Sequence, residues 1–203
     1  MTTNLLGSVH GSLVFDRRTR VLAEHLAGLI PQRAKVLDIG CGDGTIDSLI
    51  LSRRPDVEIQ GVDVFVRPST KIRVEVFDGK TLPVADKSFD TVVFVDVLHH
   101  TDDPLILLRE ANRVARKSIL IKDHTMDGLF AYDTLRFMDW VGNAPHGVVL
   151  PYNYWTGERW QSAFDHLGLK IERRMTKLGL YPFPASAVFE RQLHFIASIL
   201  PSR

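Results

Sequence analysis

The sequence predicts an α/β fold organised as a doubly wound, mostly parallel sheet. Over residues 34–123, short apolar runs rich in Val and Ile alternate with longer helical patterns, the rhythm of successive strand–helix units. Several of those runs are apolar almost without interruption, as strands covered on both faces are. The stretch VLDIGCGDG, residues 36–44, sets three glycines directly behind the first run. That is the carboxyl edge of a strand, where such sheets bind ligands. With 203 residues, 45% hydrophobic and 24% charged, the chain has the size and apolar content of one domain with a substantial core.

The elements follow in order. DRRTRVLAEHLAGLI (16–30) has helical periodicity and precedes the first strand, AKVLDI (34–39). A helical pattern over 44–53 leads to VEIQGV (57–62), and a short link leads to IRVEVF (72–77). That link, Asp63 to Lys71 with Pro68 inside it, holds at most one helical turn, whereas parallel crossovers take a dozen or more residues. FDTVVFV (89–95), a helix over 103–115 and KSILIK (117–122) complete five strands. Beyond residue 124 the rhythm changes. Helical segments near 127–140 and 156–167 lead to two late strands, LKIERRM (169–175) and RQLHFIASIL (191–200), with the Pro-rich YPFPAS between them.

Composition narrows the function. The formal net charge is +1 with no run of like charges, a poor match to a phosphate backbone, so no nucleic-acid partner is expected. The single cysteine, Cys41, leaves no intramolecular disulfide framework. MTTNLLGSVHGS lacks a basic region followed by an apolar core, and no apolar stretch is long enough to span a bilayer. The expectation is a cytoplasmic protein.

The glycine turn sets the chemistry. Gly40 and Gly42 let the backbone turn tightly and lie flat against a ligand, and Gly44 lets the helix start close to the strand. The spacing is G-x-G-x-G, with Thr45 where a dinucleotide fingerprint has its last glycine and no Gly-Lys-Ser/Thr, so this is no P-loop. Asp38 and Asp43 flank the turn; they would repel a pyrophosphate and suit a cation. Asp63 closes the second strand, about 20 residues on, where an acid can hold ribose hydroxyls. Asp78 closes the third strand in VFDGKTLP, in reach of an exocyclic amine. A lone Asp at a strand end is commonly a turn residue bonding its own loop; three on successive strands argue for a ligand.

VLDIGCGDG, GVDV and FDGKTLPVADKSFDTVVFVDVLHHTDDP together resemble the class I methyltransferases that use S-adenosylmethionine, in the type 11, small-molecule branch. The resemblance spans residues 34–123 and extends more weakly to about 200. It implies a Rossmann-like sheet, mostly parallel with an antiparallel last strand, in one domain. That domain would comprise an N-terminal helix or lid (1–33), a cofactor core (34–123), a substrate cap (124–168) and the last two strands (169–203). It further implies that Asp38, Gly40, Cys41, Gly42 and Gly44 hold the methionine part of the cofactor and Asp63 the ribose. Asp78 and Gly79 would face the adenine, and Asp96 and Val97 would lie beside the amino-acid part and the methyl group. The ligand is a sulfonium cation without phosphate, which accounts for acids around the turn.

The Asn/Asp-Pro-Pro-aromatic motif of nucleic-acid amino methyltransferases is absent after the fourth strand, where VDVLHH stands. A small-molecule acceptor, through O or C, is therefore expected. LHHTDDP offers His99 and His100, IKDHTMDG offers Asp123 and His124, and the stretch 136–160 carries Trp140, His146, Tyr152, Tyr154 and Trp155. His100 and His124 are the candidate acid–base groups, since imidazole titrates near neutrality. Trp140, Tyr152, Tyr154 and Trp155 are candidate walls of the acceptor pocket, with burial in the core as the plainer reading for the two tryptophans. Asp96 and Asp123 could converge on magnesium as in catechol-type O-methyltransferases, but His124 stands where that group has Asn, and no metal is expected. A protein or RNA methyltransferase and a non-catalytic cofactor-binding module are the alternatives.

Overall fold

A computed structural model describes residues 3–143 and 151–202, with side chains described for 15–141 and 151–202. Helix α1 (Thr3–Leu29) precedes β1 (Lys35–Ile39), α2 (Thr45–Arg53), β2 (Glu58–Asp63), β3 (Val74–Val76) and β4 (Phe89–Val95). A 3-10 turn (Leu98–His100), α3 (Pro104–Val114) and β5 (Ala115–His124) follow. The chain then forms α4 (Ala131–Asn143), α5 (Gly157–His166), β6 (Lys170–Met175), α6 (Ser186–Phe189) and β7 (His194–Leu200). The seven strands make one sheet in the order β3-β2-β1-β4-β5-β7-β6. The pairs among β1 to β5 are parallel, and β7 runs antiparallel to both β5 and β6. Among the described residues no helix is long and apolar enough to cross a membrane.

Alternation along the strands divides the core into two layers. Val36, Val93 and Leu120 pack with Leu26, Ile30 and Ile50 under α1 and α2. Leu37, Ile39, Val92, Phe94, Ile119 and Ile121 face Leu107 and Leu108 of α3 and Trp160 and Phe164 of α5. A side chain as fully buried as Phe94 or Phe164 contributes roughly 1.5–3 kcal/mol. Local signals fix the ends of the layer helices. The Asp103 side chain accepts a hydrogen bond from Leu105 N–H ahead of Pro104 in α3, and Thr156 Oγ1 accepts one from Arg159 N–H at the start of α5, both ordinary N-caps.

Three expectations need adjusting. The N-terminal helix begins at Thr3 rather than at 16, a short helix α6 forms beyond the Pro-rich segment, and the third strand shrinks from six residues to Val74–Val76. The short third strand accounts for the short link. It pairs only with Gly61–Asp63, so the chain must travel back only about 10 Å, at about 3.3 Å per residue. Ten extended residues cover that without a helix. The link is fastened on its way: Lys71 N–H donates to Asp43 O (2.8 Å) and Gly61 N–H to Arg73 O (2.9 Å).

Candidate active site

The glycine turn leaves β1 with Gly40, Gly42 and Gly44 at φ of +74°, +62° and +74°, a region that costs other residues steric strain. The three glycines differ in what surrounds them. A Cβ on Gly40 would lie 2.6 Å from Val97 Cγ2, and one on Gly44 would lie 2.5 Å from Ile72 Cγ1. A Cβ on Gly42 would meet only the Arg67 guanidinium, at 3.7 Å. Gly40 and Gly44 are therefore demanded by packing, whereas a side chain at Gly42 would meet only Arg67, at ordinary contact distance. Cys41 places its Sγ over Gly61, where a Cβ would come within 2.3 Å; burial, then the charges of Asp38 and Asp47, push the thiol pKa up.

The strand-end acids take distinct roles. Asp63 Oδ2 accepts Gly42 N–H (2.9 Å) and its Oδ1 accepts Phe65 N–H (3.0 Å), so the end of β2 is latched onto the glycine turn. Asp43, one residue ahead of the Gly44 N-cap, accepts hydrogen bonds from Thr45 N–H and Oγ1–H at the start of α2. Asp78 Oδ1 accepts Lys80 N–H (2.8 Å) and Thr81 N–H (2.6 Å). The structure thus gives that carboxylate to its own turn, beside Gly79 at φ +78°, as the plain reading of a strand-end Asp has it. Asp38 is buried and faces Asp47 of α2, a partner the sequence reading did not identify. Burial first, then the charge of Asp47, holds the Asp38 pKa well above the carboxylate range, and burial pushes Asp47 up to about 6.

This pair has a consequence for stability. Asp47, whose pKa is raised by folding, binds its proton more tightly in the native state, so its contribution is fully present below about pH 4 and is lost as pH rises through about 6. Asp47→Asn removes that loss. The stability of the variant minus that of the parent, followed by urea denaturation, is expected to rise between pH 4 and 7 by at most about 1.4 kcal/mol per pH unit. A flat difference would remove the buried pair from the account.

At the carboxyl ends of β4 and β5 lies a cluster of buried charges and imidazoles. Asp96 leaves β4 at φ +57°, an unusual conformation for a non-glycine residue and one found at functional sites. Its Oδ2 pairs with Arg18 of α1 (3.1 Å) and its Oδ1 with Lys122 of β5. Burial pushes the Asp96 pKa up, but Lys122 and Arg18 together outweigh it and hold the carboxyl below the usual range. Lys122, fully buried, also reaches His194 Nδ1 (3.4 Å), whose Nε2 bonds Phe189 O (3.0 Å).

Beside this network, Asp123 accepts three hydrogen bonds: from His99 Nδ1 (2.6 Å), His124 N–H (2.7 Å) and Leu98 N–H (3.0 Å). The far side of the His99 ring points to the cap, with Nε2 3.4 Å from Asp139 Oδ2 of α4, and Tyr154 OH donates to that same oxygen. Burial opposes the charge on His99, yet Asp123 and Asp139 raise its pKa to about 10. The two imidazoles expected to do acid–base work stand on either side of it. His100 is half-buried, its ring 4.0 Å from that of His99; burial and then the His99 charge lower its pKa to about 4. His124 is buried with Nδ1 3.4 Å from His99 Nδ1 and 3.6 Å from Asp96 Oδ1; burial and then Lys122 hold it well below the histidine range.

The aromatic wall divides. Tyr154 is buried against His99, ring centroids 5.6 Å apart, and Tyr152 lies half-buried 6.3 Å from Tyr154. Trp155 is corrected to a core residue: it is 3% exposed and packs on Trp160 at 4.8 Å. Trp140 is neither core nor wall, at 58% exposed on the outside of α4 beside Phe137. His146 lies outside the described residues. Sequence reasoning missed Arg18, Lys122 and Asp139, and weighted His100 above His99. A lysine inside the apolar run SILIKD was a visible signal, since such a residue is seldom buried without a partner.

A methyltransferase-domain family model matches residues 13–173. A 27-O-demethylrifamycin SV methyltransferase from Amycolatopsis mediterranei is 31% identical over 120 residues, 52% of this chain and 44% of that protein. A ribosomal RNA small subunit methyltransferase C from Shewanella loihica is 41% identical over 61 residues, 30% of this chain and 17% of that protein. The chain thus spans less than half the length of these curated relatives. Among solved structures, the Haloferax volcanii protein determined in complex with the Trm112 methyltransferase activator superposes with a TM-score of 0.69 at 17% identity, covering 93% of this chain and 92% of that one.

Proposed function

The chain belongs to the S-adenosylmethionine-dependent methyltransferase family, and from that premise we propose that it transfers the methyl group to a hydroxyl of a small molecule. The observation that carries the acceptor side is the cluster at the ends of β4 and β5, where His99, His100 and His124 converge with Asp96 and Asp123 next to the glycine turn. One curated match, over 120 residues, is to a 27-O-demethylrifamycin SV methyltransferase, whereas the match to the ribosomal RNA methyltransferase covers 61 residues.

The residues present fit the cofactor. Gly42, whose Cβ position meets nothing nearer than the Arg67 guanidinium at 3.7 Å, is a cradle that a side chain would fill, and Asp63 pins that backbone in place. Gly40 and Val97 in mutual contact would form the floor beside the methionine part, with Asp63 and the Asp78–Gly79 turn toward the ribose and adenine. S-adenosylmethionine, when bound, supplies an electrophilic sulfonium methyl group. The chain's task is then to hold the acceptor oxygen in line at near-attack distance and to take its proton. His100 and His124 flank the place where that proton would leave, Tyr152 and Tyr154 wall it, and α4 rather than the whole of 124–168 caps it, since α5 packs on the sheet.

The test is turnover with methyl-labelled donor against separate hydroxylated small-molecule, protein and RNA fractions. Label is expected in the small-molecule fraction; label in RNA alone overturns the assignment. Replacing whichever of His100 or His124 takes the proton by Ala is expected to lower turnover by about 10²–10⁴ with cofactor affinity kept. Near-normal turnover in both single variants would leave catalysis to positioning alone.

A further inference from the structure

We propose that His99, His100 and Asp139 form a binding site for a divalent transition-metal ion of the zinc class, bridging the 3-10 turn behind β4 to helix α4 of the cap. Ligand atoms of these three residues lie within 4.8 Å of one another. His100 Nδ1 is buried with no hydrogen-bond partner among the described residues, and His99 Nε2, on a ring only 1% exposed, makes only the 3.4 Å ion-pair contact with Asp139 Oδ2; an ion bound there would take the place of the Nε2 proton. Buried imidazole nitrogens rarely go unpaired, because each forfeits its hydration for nothing. His99 Nε2 stands 3.4 Å from Asp139 Oδ2, the carboxylate that closes the group. Two atoms each about 2.0–2.1 Å from a tetrahedral ion are separated by about 3.4 Å, so that pair already stands at ligand spacing.

The surroundings match a metal site as well. The other nitrogen of His99 donates to Asp123 at 2.6 Å, the carboxylate–histidine–metal arrangement that fixes the ring and makes it a better ligand. Tyr154 OH holds the Asp139 carboxylate in turn. Two imidazoles and one carboxylate are a donor set that suits zinc and its first-row neighbours more than magnesium or calcium. The nearby quartet Asp96, His99, Asp123 and His124 is the weaker choice. Lys122 and Arg18 already neutralise Asp96, and a divalent ion there would face two fixed cations. With His100 committed to the ion, removal of the acceptor proton falls to His124. The site rests on the methyl-transfer reading for none of its geometry, and the test reads metal rather than turnover.

Untagged full-length protein, stripped with chelator and then dialysed against zinc, is expected to retain one ion per chain by elemental analysis. Its Tm should rise with added zinc, and cobalt in its place should give the visible absorption of a tetrahedral site. His100→Ala and Asp139→Asn should each weaken zinc binding by more than about 100-fold, beyond the loss typical of outer-shell partners, while S-adenosylhomocysteine binding certifies the fold. No stoichiometric ion in the parent protein, or zinc affinity unchanged in both variants, overturns the site. Either outcome leaves the methyl-transfer assignment to its own assay.

Discussion

Gly42→Val is expected to abolish binding of S-adenosylmethionine and its demethylated product, by at least about 1,000-fold, while the sheet stays folded. The other glycines of the turn cannot give this separation. A Cβ on Gly40 or Gly44 collides with Val97 or Ile72 at 2.6 and 2.5 Å, so those substitutions disturb packing between the strand ends. At Gly42 a Cβ meets only the Arg67 guanidinium, at an ordinary contact distance of 3.7 Å, on the side where the proposed cofactor would lie. The backbone cost of an L residue at φ +62° is about 1–2 kcal/mol, small beside the 5–15 kcal/mol of a typical domain. Isothermal calorimetry with the demethylated product, alongside circular dichroism, measures both halves. Affinity within about tenfold of the parent in a folded variant would place the cofactor elsewhere.

Asp123→Ala is expected to destabilise the domain by about 3–5 kcal/mol, the usual cost of leaving one member of a buried ion pair without the other. Asp123 is fully buried and accepts from His99, His124 and Leu98. Its loss strands two backbone donors and leaves the His99 imidazolium with Asp139 alone. The change should appear as a lower urea midpoint with an unchanged m-value, since the folded core keeps its extent. A difference below about 1 kcal/mol would mean that the imidazole cluster is loosely held and takes up the loss. Asp123→Asn should be milder, since it keeps an acceptor oxygen and the side-chain volume.

The sequence by itself determined the parallel strands, their helices and the carboxyl edge that carries the site, because strand and helix periodicity and glycine placement are local properties of the chain. VLDIGCGDG announced a tight turn at a strand's carboxyl edge, and Asp63 at the end of β2 was legible from spacing. Tertiary structure decided what each side chain does there. That Asp63 spends both oxygens on backbone N–H groups, that Asp38 faces Asp47, and that Asp78 serves its own turn depend on distances that spacing does not encode. Trp140 and Trp155 read alike in the sequence but differ in the structure, one outside α4 and one in the core, because an aromatic residue's burial depends on which face the neighbouring elements cover. Arg18 reaches Asp96 across 78 residues and His99 reaches Asp123 across 24. Such pairs exist only once β1, β4 and β5 lie side by side. Two adjacent histidines read alike in a sequence; the register that sets Asp96 beside Asp123, and the helix that brings Asp139 over them, make one an imidazolium between two carboxylates and leave the other neutral.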